Sequence, residues 1–140
     1  MLEAYATTEA VCALTAEDID EMDALLVQMA QVGRSTTDEQ WSRLNRTWHF
    51  RLYSGAQSPL LLQFINTLWD RCRLTSNVQA RDLGHRDRPD EDHTRIMAAV
   101  RARDARLAAG IIADHVRNAM DEILDQNLAE EPAEPSASSE

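Results

Sequence analysis

Apolar residues along this chain return every three or four positions, and no alternating strand pattern or internal repeat interrupts them. That period belongs to helices with one buried face. Leu2 to Ala13 is compatible with a first helix. Thr15 and Asp18 make a capping box, with Asp where Glu or Gln is usual, and open a second helix. Its Ile19, Met22, Leu25, Leu26 and Met29 form one stripe, and Gly33 offers a stop. Thr36 or Thr37 can cap a third helix with Asp38 and Glu39 against its positive end, and Trp41, Leu44, Trp48 and Leu52 line its apolar face. Gly55 is a break, Ser58 a cap, and Pro59 the first residue of a fourth helix expected to reach about Ala80. The polar linker "RDLGHRDRPDED" then leads to a fifth helix opening with "DHTRIMAAVRAR". Asp104 caps or bridges into a sixth, which carries Leu107, Ile111, Val116, Met120, Ile123 and Leu124. "AEEPAEPSASSE" has no apolar period and reads as a disordered acidic tail. The predicted fold class is all-α, a bundle of about six helices over residues 1–128 with a tail at 129–140.

A chain of 140 residues with 44% hydrophobic content can fill one core. No window approaches the roughly 18 apolar residues of a membrane span, and no cleavable leader pattern opens the chain, so a soluble cytoplasmic protein is expected. Cys12 and Cys72 are too few for a disulfide framework and read as reduced thiols. The net charge of −10 would repel a phosphate backbone, which excludes nucleic-acid binding by this chain as it stands.

The chemistry-bearing residues are four histidines: His49, His85, His93 and His115. A single helical His is ordinarily a packing or surface residue. Asn45 and His49, however, lie four apart on one helical face, which is how one helix offers two ligands to one ion. His93 and His115 lie on two other helices, each preceded by an aspartate, Asp92 and Asp114; these acids either orient imidazoles from behind or are merely solvated, and solvation is the favoured reading because neighbours on a helix diverge. His85 falls in the polar linker and reads as an exposed loop residue. The zinc-protease HExxH, the Glu-x-x-His pairs of di-iron bundles and the G-x-S-x-G nucleophile motif are all absent, although "DEDH" imitates half a di-iron pair with Asp.

"LNRTWHFRLYSGAQSPLLLQFINTLW" resembles the Asx-x-x-aromatic-His and Pro-x-Leu segment of the FCD domain, the effector-binding domain of the FadR branch of GntR-family transcriptional regulators. "DHTRIMAAVRARDARLAAGIIADH" is similar to that family's two later His-bearing helices, and "LEAYATTEAVCALTAEDIDEM" to its opening pair. The resemblance runs from about Leu2 to Leu124 and implies an antiparallel six-helix bundle of the shorter, VanR-like subgroup. It further implies a divalent metal held by Asn45, His49, His93 and His115, zinc first, with nickel and manganese as alternatives. Trp48 takes the place of the family's usual Phe. Two departures matter: the DNA-reading domain, and Asn45 at a position where Asp is frequent. The family's DNA-reading winged helix would precede Met1, so this chain is expected to lack it.

The resemblance thus implies a sensor that binds the metal and a small carboxylate, forms a homodimer, and touches DNA only through a winged helix outside this chain. No membrane partner is expected. Arg71 and Arg73 are candidates for clamping an acid group, only one of them able to face inward. Trp48 is read chiefly as core beside the site, with effector contact as its second role. Two other readings stay open: a metal-dependent helical enzyme acting on a small acid, and a metal-free dimerisation module.

Overall fold

The computed structural model describes residues 2–32, 38–75 and 89–130, with side chains placed for 2–32, 39–72 and 91–121. Six helices and no strand are found among them: α1 (Leu2–Ala10), α2 (Ala16–Val32), α3 (Asp38–Ser54), α4 (Pro59–Thr75), α5 (Pro89–Arg101) and α6 (Ala105–Glu130). The expected all-α bundle is therefore the observed one. Gly33, Thr36, Thr37, the stretch 76–88 with His85, and residues 131–140 of the expected tail lie outside the described residues.

Local chemistry accounts for the starts of the helices. The Thr15 amide donates to Asp18 Oδ2 at 2.7 Å, and the Asp18 amide donates to Thr15 Oγ1 at 3.1 Å, which is the reciprocal capping box. The backbone bond from Thr15, first among its causes, holds the Asp18 carboxyl below its ordinary value. Asp104 caps α6 through the Leu107 amide at 2.9 Å. Three boundaries differ from expectation, the first being the end of α6, which takes in two residues, Ala129 and Glu130, of the expected tail. "PDED" is not linker: α5 begins at Pro89, a residue suited to a first helical position, and Glu91 and Asp92 then occupy the first turn beside the positive end of the dipole. α1 stops at Ala10 rather than Ala13. There the Arg103 guanidinium, reaching across from the α5–α6 turn, takes the carbonyls of Val11 at 2.8 Å and Leu14 at 2.6 Å.

α1 packs against α6, α3 and α4, while α2 spans α3 and α5, and α5 lies along α6. Small residues let α1 sit this close. A Cβ on Gly55 would stand 2.8 Å from the Ala10 carbonyl oxygen, so the end of α3 needs glycine for this close contact. Ala6, Val11, Leu14, Met22, Met29, Trp48, Leu52, Tyr53, Ile65, Ile96, Met97, Val100 and Ile112 fill one core, in which Met22, Met29, Trp48 and Leu52 come from the stripes expected for α2 and α3. Ion pairs lace its rim: Arg51 reaches Asp18 and Glu21 of α2, Arg101 reaches Asp23, and Arg46 joins α3 to Asp70 of α4 at 2.8 Å.

Candidate metal centre

Three helices each deliver one imidazole to the interior. His49 of α3, His93 of α5 and His115 of α6 are all buried, with ring centroids 5.2 to 5.3 Å apart in each pair. One ligand atom from each lies within 4.8 Å of the others. A coordinated set is closer, about 3.0–3.4 Å between donors each about 2.1 Å from an ion.

Asn45, one turn before His49 on α3, completes the group. Its Oδ1 accepts from His93 Nε2 at 2.9 Å. An amide oxygen can only accept, so Nε2 carries the proton in the metal-free ring. The same separation suits two ligands at right angles on one ion, which stand about 3.0 Å apart for bonds of about 2.1 Å. Residues and metal therefore fit, provided that proton leaves Nε2.

The electrostatics favour lone pairs over charge. Burial, and then repulsion from His93 and His115, holds His49 well below its ordinary value. Neutral imidazole is the form that ligates. His49 Nδ1 lies 3.2 Å from the Tyr53 hydroxyl, itself buried one turn further along α3. Burial, with the Glu3 charge second, pushes that phenol well up, so it remains protonated.

Around the imidazoles stands an aromatic wall. Trp48 is fully buried, edge-on to His49 at 5.0 Å and to His93 at 4.6 Å, which makes it core beside the site. Its indole N–H has no hydrogen-bond partner among the described residues. Trp69 of α4 lies 5.4 Å from His49 and donates its indole N–H to Glu3 of α1 at 2.6 Å.

Two expectations about charged residues change. Asp92 is not merely solvated: its Oδ2 lies 3.3 Å from Nδ1 of His115, on the other helix, while Oδ1 meets Arg95. Neighbours do diverge, but a first-turn residue of α5 points across to α6. Asp114, by contrast, is exposed and paired with Arg117. Arg71 is exposed, so it does not supply the inward guanidinium, and the side chain of Arg73 lies outside the described residues. The arginine beside the aromatic wall is Arg46, over the rings of Phe50 and Trp69 and bonded to Asn66 and Asp70. Tyr53, Glu3 and Arg46 escaped the sequence reading, though Tyr53 continues the four-residue spacing of Asn45 and His49.

The family model for the FCD domain matches residues 1–118. The chain belongs to the FCD domain family. It is similar to the HTH-type transcriptional regulator McbR of Escherichia coli (strain K12), with 28% identity over 130 residues, 91% of this chain and 55% of that protein. In structure it is similar to E. coli McbR/YncC, with a TM-score of 0.77 at 24% identity over 90% of this chain and 60% of that one. The chain thus spans a little over half the length of the relative it matches. An FCD domain is a regulatory, effector-binding module rather than an enzyme. No helix among the described residues is long and apolar enough to cross a membrane.

Proposed function

We propose that this FCD domain senses a small carboxylate through a divalent metal held by His49, His93, His115 and Asn45, and that it does so within a GntR-type regulator working in the cytoplasm. DNA contact would come from a winged helix outside the described residues, in keeping with the name of the E. coli relative. The observation that carries this reading is the convergence of three buried imidazoles from three helices. Burial takes three imidazoles out of water together, and one shared ion is what would use their lone pairs jointly.

Bound there, the ion would supply a positive centre for an anion. Three imidazoles and an amide contribute no charge, and Asp92 brings a carboxylate into contact with the group. In a low-dielectric interior the remaining positive charge favours an acid over a neutral molecule. The unpaired indole N–H of Trp48 is the donor this reading assigns to the acid, since a buried donor left unsatisfied costs about 1–3 kcal/mol. Arg73 is retained as a candidate clamp. Acid binding would bias two packings of the bundle and so alter the placement of two DNA-reading domains in a homodimer.

The second copy in that dimer is placed on α4, where Leu60, Phe64 and Leu68 stand in line at 63%, 56% and 50% exposure. The chain carries a net charge of −10, and copies of it repel. Between Pro59 and Cys72 the charged residues are Asp70, already paired with Arg46, and Arg71. That face can be approached without repulsion.

Metal content tests the proposal. Protein purified without chelator or polyhistidine tag should carry close to one divalent ion per chain, zinc before nickel or manganese, and His49→Ala or His115→Ala should remove it. Asn45→Asp should tighten metal binding by adding charge and weaken binding of acetate or succinate by reducing the field. Absence of metal, with no rise in melting temperature on adding any of the three ions, would sink the reading.

A further inference from the structure

The two aspartates that precede histidines differ in a way that sequence adjacency hides. Asp114 precedes His115 but faces solvent beside Arg117. Asp92 precedes His93 yet touches His115, twenty-three residues on. A carboxylate oxygen can only accept, so the proton of the neutral His115 ring sits on Nδ1 and its lone pair on Nε2. Arg95, one turn along α5, holds the other carboxylate oxygen at 3.3 Å. Asp92 is thereby pinned on one side and fixes a ring on the other.

We propose that Asp92 is the positioning residue for His115. By accepting the Nδ1 proton from across the α5–α6 interface, it fixes the tautomer and ring orientation that present Nε2 to the metal, and it contributes the negative charge that moderates the centre. This rests on the metal-sensing reading above and deepens it. The "DEDH" segment then serves the centre twice, through the imidazole of His93 itself and through the hold of Asp92 on a histidine of another helix. Carboxylate partners of this kind raise the basicity of a ligating imidazole, and their loss typically weakens metal affinity about 10- to 100-fold.

The test uses zinc alone as the probe, with affinity measured by competition against a chromophoric chelator, together with nitrogen-15 NMR of the imidazoles in metal-free protein. Wild type should show His115 protonated at Nδ1. Asp92→Ala should populate both tautomers and bind zinc about 10- to 100-fold more weakly. Asp92→Asn, which keeps an acceptor without the charge, should retain the tautomer and lose only part of the affinity. Asp114→Ala should match wild type in both measurements. Should Asp92→Ala fail to fold by circular dichroism, the Asn variant carries the comparison. Wild type binding zinc while Asp92→Ala binds it as tightly, with His115 unchanged, overturns the role of Asp92 and leaves the metal reading standing. Wild type taking up no zinc overturns both.

Discussion

Glu3 sits half-buried at the start of α1, accepting the indole N–H of Trp69, and burial outweighs that bond in raising its carboxyl above the ordinary value of 4.5. A carboxyl raised on folding binds more protons in the folded chain than in the unfolded one between the two values. Its contribution to stability therefore falls as pH rises through that window and stays lower above it. Glu3→Gln keeps an acceptor for Trp69 without the charge. Compared with wild type, it should melt at the same temperature or lower below pH 4.5 and at a higher temperature at neutral pH, with the difference opening just above the ordinary glutamate value. Parallel thermal melts across pH 4 to 8 would refute this if the two curves stay equally spaced. The same scale shows what one-dimensional reading reaches. Asn45 and His49 were legible because their spacing is set by the helix that carries them. For Asp92 the sequence favours solvation over a hold on an imidazole, because its partner lies on another helix and no local spacing encodes that distance.

At the scale of elements, caps were legible and cross-chain terminations were not. Thr15 with Asp18, and Asp104, act within four residues of themselves. The end of α1 depends on Arg103, 92 residues from Val11 and 89 from Leu14. Arg103 also closes α5: its amide bonds Val100, the next amide bonds Ala99, and its φ of 57° is left-handed, at the position helices usually give to glycine. An arginine there costs about 1–2 kcal/mol of backbone energy relative to an unstrained residue. Its guanidinium recovers this by satisfying two carbonyls of the turn that follows α1. Arg103→Ala keeps the strain and loses the bonds, and should cost about 2–3 kcal/mol. Arg103→Gly loses the bonds but also the strain, and should fall between Ala and wild type by about 1 kcal/mol. Urea melts of the three proteins test the order. A glycine variant no more stable than the alanine variant would show that backbone strain is not what separates them.

Over the whole molecule, charge decides which faces are available. Lys and Arg number 14 against 24 Asp and Glu, and much of the basic side chain surface is already engaged with acids on neighbouring helices, as at Arg46, Arg51 and Arg101. What such a chain offers a second copy is apolar surface where acids are scarce. Leu60, Phe64 and Leu68 recur every fourth residue along α4, so in an antiparallel pairing about a two-fold axis Phe64 meets its counterpart and Leu60 meets Leu68. The match is self-complementary. Phe64→Glu would set two like charges face to face at the centre of that contact and should convert a dimer to a monomer while leaving helix content unchanged. Val27→Glu is the control, because Val27 is equally exposed at 56% but lies on α2, away from the α4 line. Sedimentation equilibrium at micromolar concentration reads the outcome directly. A wild-type monomer would remove the second copy from α4, and a Phe64→Glu protein that stays dimeric would place the contact on another face.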